Sequence, residues 1–295
     1  MTILITGATG NVGRQVVNQL VNRGADVRAD IRALVRDPAK ANLPAGVQTV
    51  QGDLLDIDAL RRSMHGISTL FLLNAVVPDE FTQALVALNL AREAGIERVV
   101  YLSVIHSDRY LNVPHFAGKF GVERMLEQMG FGATILRPAY FMDNDHSIKD
   151  VVRGYGVYPM PIGSKGLAMV DVRDIAEVAA IELLRRERSA QPLPLARINL
   201  VGPDTLTGEA VAGIWSSVLN RPIAYGGDDT GGFETNLRNA LPHWMAYDMR
   251  LMAERFLTEG MVPEAGDVER LVQLLGRPLH SYRDFAHAIA NATTA

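Results

Sequence analysis

The feature that most constrains this chain is a glycine-spaced turn at its start, Thr6-Gly7-Ala8-Thr9-Gly10-Asn11-Val12-Gly13. It joins an apolar run, Thr2–Thr6, to a segment carrying Val12, Val16, Val17, Leu20 and Val21 at helical spacing. Glycines between a strand and a helix permit a tight turn, let a diphosphate approach the backbone, and seat the helix close to the sheet. The helix start then offers N–H groups and a partial positive charge to phosphate. A dinucleotide-binding strand–loop–helix unit is the expectation, and Gly7, Thr9, Gly10, Asn11, Val12 and Gly13 are its candidate residues.

The same alternation continues. Candidate strands are Thr2–Thr6, Ile31–Val35, Val47–Gln51, Thr69–Leu73, Arg98–Leu102, Ala133–Leu136 and Arg197–Leu200. Between them lie helical patterns such as Phe81, Leu85, Leu88 and Ala91 before Gly95, and Phe116 to Met129 before Gly130. Strand–helix alternation predicts an α/β fold of Rossmann type: a doubly wound, mostly parallel sheet, with strands apolar throughout because both faces are buried. After Pro138 the rhythm loosens into loops and short elements up to Gly166. Asp171 then caps a helix running to about Arg186, and the rest is helical apart from a loop at Gly226–Gly232. The expected division is a nucleotide-binding domain over 1–200, with 139–166 lent to a substrate lobe, and a mostly helical C-terminal lobe over 201–295.

At the end of the second strand stands Arg36 where NAD-selective sites place a carboxylate. A guanidinium suits a ribose 2′-phosphate, Lys40 can add a second charge, and NADP(H) is the expected cofactor. The competing assignment makes Asp37 a ribose ligand and Arg36 a solvated side chain. Asp53-Leu54, closing the third strand, can meet the adenine, unless Asp53 serves only to start a turn. Asn74, just past the fourth strand, falls where that edge passes the ribose.

Bulk properties exclude other classes. The 295 residues carry 29 Lys and Arg against 33 Asp and Glu, a formal charge of -4 and the wrong sign for a general nucleic-acid binder. There are no cysteines, which removes disulfides and thiolate chemistry and suits a reducing cytoplasm. His106 and His146 lack metal-ligand spacing, so no metal is expected. No apolar run approaches the ~20 residues of a membrane helix, and the start is too short and uncharged for a signal peptide. The partner expected is a small molecule, with a homodimer compatible with the sequence.

Together, Thr6–Gly13, Arg32-Ala33-Leu34-Val35-Arg36-Asp37-Pro38, Gly52-Asp53-Leu54, Leu136-Arg137-Pro138 with Phe141-Met142-Asp143-Asn144, and Asp171–Ala176 resemble the short-chain dehydrogenase/reductase superfamily, and within it the NmrA-like branch. The tail, with Leu241-Pro242-His243-Trp244, is similar in style to quinone and triphenylmethane reductases of that branch. The resemblance implies that Lys119 orients the nicotinamide ribose and that Ser103 stands at the superfamily's strand-end Ser or Thr. It also exposes a departure: the superfamily's Tyr-x-x-x-Lys pair reads His115-Phe116-Ala117-Gly118-Lys119 here. Either His115 replaces the tyrosine as proton donor, or the acceptor takes its proton from water, or the protein is a non-catalytic NADP(H) sensor acting on a regulatory protein. Tyr140, after the sixth strand, is a second donor candidate, with core packing as its alternative. Trp244, Met245, Met249 and Met252 read as core of the small lobe ahead of a substrate pocket. The resulting expectation is an NADPH-dependent reductase passing hydride to a small apolar quinone, dye, carbonyl or imine.

Overall fold

A computed structural model describes residues 2–23 and 30–291. In chain order the elements are β1 (Thr2–Ile5), α1 (Asn11–Asn22), β2 (Asp30–Val35), β3 (Gln48–Gln51), α2 (Ile57–Met64), β4 (Thr69–Leu72), α3 (Glu80–Glu93), β5 (Arg98–Leu102), α4 (Pro114–Gln128) and β6 (Gly132–Pro138). There follow α5 (Lys149–Tyr155), β7 (Val157–Tyr158), α6 (Val172–Arg188), β8 (Ala196–Leu200), α7 (Gly208–Leu219), β9 (Ala224–Tyr225), α8 (Thr230–Leu237), α9 (His243–Thr258), α10 (Asp267–Leu275) and α11 (Tyr282–Asn291).

All seven candidate strands form one sheet, ordered β3-β2-β1-β4-β5-β6-β8. The ladders linking β1 through β6 are parallel, with Ile5 opposite both Ala33 and Phe71. Parallel strands put all their carboxyl ends on one edge, and the order reverses between β1 and β4, where open α/β sheets bind ligands. Every residue of β4 is buried, as the unbroken apolar run Leu70-Phe71-Leu72 requires. Helices close the faces through matching stripes: Val12, Val16, Val17 and Leu20 of α1 are buried, and Leu60, Met64, Ala84, Leu88 and Leu126 of α2, α3 and α4 share a core with Leu4, Leu70, Val99 and Ile135.

The chain divides into two compact units. One comprises the described residues up to Val104 with Gly118–Arg137 and Ile175–Ile198; the other comprises Ile105–Ala117, Pro138–Asp174 and the described residues from Asn199. The second unit therefore takes in 105–117, 138, 167–174 and 199–200, which the expected 1–200 division left in the nucleotide-binding domain. Helix α4 runs through the division between Ala117 and Gly118.

Within the second unit, β7 and β9 pair in parallel, and Trp215, Tyr110, Tyr158, Tyr282 and Phe256 are fully enclosed. The glycine loop is shorter than expected. α8 starts at Thr230 because the Asp229 side chain caps it, accepting a 2.9 Å bond from the Gly232 amide. Trp244 departs from its core assignment: it is 37% exposed, while Met252 of the same helix is buried. Helical periodicity fixes which residues share a face, and packing decides which face turns inward.

Candidate functional site

Gly7 adopts φ +65°, and a Cβ there would lie 2.9 Å from the Leu73 side chain and 3.1 Å from its carbonyl. At Gly13 a Cβ would stand 2.1 Å from the Gly7 carbonyl oxygen, which no rearrangement short of moving the loop would relieve. The third glycine thus seats α1 directly on the turn. Gly10 is the N-cap of α1; it has no side chain to bond the first turn, and that turn contains no acidic residue. This leaves the positive end of the helix facing the loop.

Neighbouring strand ends are stitched to this turn. The Thr6 hydroxyl donates to the Leu73 carbonyl (3.0 Å) and accepts from the Leu73 amide (2.8 Å), fixing the exit of β4 beside the glycine loop. The next residue is Asn74. It is 5% exposed, and both its amide atoms, Nδ2 and Oδ1, are buried without a hydrogen-bond partner among the described residues. Leaving such a group unpaired costs about 1–3 kcal/mol, and this amide has both a donor and an acceptor free to bond a polar ligand.

Arg36 emerges exposed at the end of β2, and its guanidinium engages no described side chain. Asp37, the competing ribose ligand, is committed elsewhere: one carboxylate oxygen accepts from the Ala39 amide at 3.1 Å and the other pairs with Lys40 at 3.0 Å. Lys40 is itself strongly exposed. Asp53 uses Oδ1 to hold its own turn, accepting from the amides of Leu55 (2.8 Å) and Asp56 (3.1 Å), while Leu54 packs against the core. The turn-starting role of Asp53 is thus present in the structure.

Lys119 is buried, and its Nζ donates to Glu80 Oε1 at 2.5 Å. An ammonium has three donors, so this bond holds the charge in place and leaves capacity for a ligand oxygen. Ser103 directly follows β5. Its hydroxyl proton goes to Glu123 Oε1 (2.5 Å), a buried carboxylate that Arg137 grips through Nε and Nη2. That cluster ties β5, α4 and β6 together, and the Ser103 proton is committed to it.

In the second unit the His115 imidazole is held by Asp248, which also accepts from the His115 backbone N–H at 3.1 Å. Asp248 is fully buried and was not singled out in the sequence; the only hint was an acidic residue inside the apolar pattern of α9. Its carboxylate keeps the proton on Nδ1, so proton exchange falls to Nε2. On α4, His115 stands one turn before Lys119.

Tyr140 does not fit a proton donor. Its hydroxyl donates to Asp145 at 2.9 Å, and burial with the adjoining carboxylate pushes its pKa far above the ordinary 10.0. Asp145 also receives the hydroxyls of Tyr158 (3.0 Å) and Tyr282 (2.5 Å), and the indole N–H of Trp215 reaches Tyr282. These side chains form a sealed structural network. Among the described residues no group of acidic or imidazole side chains could hold a metal, and no helix is long and apolar enough to cross a membrane.

The chain is 28% identical over 299 residues to the NAD(P)H azoreductase of Xenophilus azovorans, and 30% identical over 295 residues to the (4-alkanoyl-5-oxo-2,5-dihydrofuran-3-yl)methyl phosphate reductase of Streptomyces griseus, spanning 98% of both partners in each case. The structure of an NADPH-dependent quinone oxidoreductase from Escherichia coli, complexed with NADPH, superposes with a TM-score of 0.86 at 25% identity, over 98% of this chain and 100% of that one. The model of the NmrA-like family matches residues 1–284, and the chain belongs to that family.

Proposed function

We propose that this protein is an NADPH-dependent reductase that delivers hydride to a small apolar acceptor of the quinone, dye, carbonyl or imine class. The observation that carries the reading is the orphaned Asn74 amide, which follows directly on Leu73, the residue that Thr6 holds beside a glycine turn where a Cβ at Gly13 would meet the Gly7 carbonyl. A buried donor and acceptor beside an anion-binding helix start fit a phosphorylated, hydroxylated nucleotide.

The residues divide the work. The first turn of α1 binds the diphosphate, Arg36 takes the 2′-phosphate that Asp37 is not placed to contest, and Asn74 and Lys119 hold ribose hydroxyls. NADPH, when bound, supplies the hydride from its nicotinamide ring. Reduction of a carbonyl or quinone also consumes one proton, and His115 passes it through Nε2 while Asp248 fixes the ring. The relatives that reduce azo compounds, a furanone phosphate and quinones support this reading, and the lack of cysteine is compatible with a cytoplasmic setting.

The test is oxidation of NADPH, followed at the reduced-nicotinamide absorbance, across quinones, azo and triphenylmethane dyes, aldehydes and imines. Turnover that falls in Lys119→Ala supports the reductase. Tight NADPH binding without oxidation of any acceptor refutes it and leaves the redox sensor.

A further inference from the structure

Four residues beyond β5, His106 combines three unusual properties. Its backbone lies at φ +57°, a left-handed conformation that a residue with a Cβ seldom adopts. Its ring is 7% exposed, and its Nε2 is buried with no hydrogen-bond partner among the described residues. Its Nδ1 lies 3.4 Å from the Tyr110 hydroxyl, and that hydroxyl donates to the Gly260 carbonyl.

This chain of contacts assigns the tautomer. A tyrosine has one hydroxyl proton; with that proton directed at Gly260, the oxygen can only accept. Nδ1 must then carry the imidazole proton, and the bare lone pair sits on Nε2. Burial and the Arg109 guanidinium lower the ring's pKa from 6.5, against the opposing pull of Asp108, Glu264 and Glu259, which favours the neutral ring. The Arg255 guanidinium lies over the Tyr110 ring, 5.7 Å from its centroid.

A histidine kept for packing alone would be served by an apolar ring without an orphan nitrogen, and strained backbone with an unpaired polar atom is a combination retained where a ligand resolves it. The surroundings say which ligand. His106 meets Tyr110 edge-on (5.5 Å), Tyr110 stacks on Phe116 (5.3 Å), and Phe116 meets His115 edge-on (4.7 Å). The two imidazoles therefore flank one aromatic cluster, with the acid–base residue at its far end.

We propose that His106 determines acceptor specificity, its Nε2 accepting a hydrogen bond from an N–H or O–H group carried by an aromatic acceptor. This rests on the reductase reading and narrows it to amino- or hydroxyl-substituted aromatic dyes and quinones. His106→Phe keeps a ring and removes the lone pair; His106→Gln puts an amide oxygen near the place of Nε2.

The experiment compares kcat/KM with NADPH for 4-aminoazobenzene and 4-(dimethylamino)azobenzene in the wild type and both variants. The preference for the amino dye should fall roughly tenfold in His106→Phe, the worth of one buried hydrogen bond, and return in part in His106→Gln. The same preference in all three proteins overturns the proposal while leaving the reductase intact. If no acceptor is reduced, the reductase reading fails, and nitrogen-15 NMR of the imidazole in NADP+-saturated protein still reads His106. A protonated Nδ1, with Nε2 shifted by 4-aminoazobenzene and not by its dimethyl analogue, supports the proposal. A proton on Nε2 in the free protein, no shift with the amino dye, or a shift produced by NADP+ alone overturns it.

Discussion

Replacing Asp145 by asparagine should change how stability depends on pH, and the size of the effect can be worked from the cluster around it. Asp145 is fully buried and receives three tyrosine hydroxyls. Those bonds favour the carboxylate, yet loss of hydration outweighs them and pushes the carboxyl from 3.8 up to about 6. Between those values the folded chain holds a proton that the unfolded chain releases. The stabilisation is therefore complete below the unfolded pKa and is lost as pH rises through about 6. A rise of about two pK units corresponds to about 3 kcal/mol. An amide in place of this carboxyl does not titrate, so the stability of Asp145→Asn relative to wild type should improve by about that amount from about pH 4 to about pH 7, whatever its constant offset. Urea unfolding followed by tryptophan fluorescence suits the measurement, because Trp215 bonds Tyr282 within this network. Taking the difference between variant and wild type cancels carboxylates common to both. A difference that stays flat across the range, or runs the opposite way, would show that the tyrosines and not desolvation govern Asp145.

The other predictions concern the cradle and the acid–base pair. Arg36→Ala should weaken NADPH binding about 10- to 100-fold, the loss of charge-assisted bonds to a phosphate, and leave NADH within about twofold; calorimetry with both nucleotides checks this, and equal losses would defeat it. Gly13→Ala should abolish binding of both nucleotides and lower stability by roughly 1–3 kcal/mol, since its Cβ meets the Gly7 carbonyl; nucleotide titration and thermal melting read the two effects. Asp248→Asn should lower kcat roughly 10²-fold or more while leaving the KM for NADPH unchanged, as expected when a proton-transfer ring loses its orienting carboxylate. An unchanged kcat would mean that the acceptor draws its proton from water.

How much could be read in advance follows the sequence distance over which each feature is made. The glycine turn and the seven strands are local: each depends on a few adjacent residues and on periodicity, and each is legible in the sequence. Asp37 illustrates the limit of such reading, because the turn it caps two residues on becomes visible only in the folded chain. Other side chains have partners far away along the chain. Lys119 meets Glu80 across 39 residues, His115 meets Asp248 across 133, and Tyr110 reaches Gly260 across 150. Ser103 and Tyr140 were read as candidate site residues, and both hydroxyls turn out to be committed to buried carboxylates, Glu123 and Asp145. His106 was set aside for want of metal spacing, and its interest lies in a tautomer that only a folded neighbour can impose.

The amino-acid order by itself determined the alternation of strands and helices, and hence a parallel sheet whose carboxyl edge carries a nucleotide cradle, because backbone preference and apolar periodicity act over short spans. The tertiary structure alone decided which buried polar atoms are satisfied and which are left without a protein partner. Hydrogen-bond partners inside a protein are set by packing between distant segments, and no local pattern encodes them.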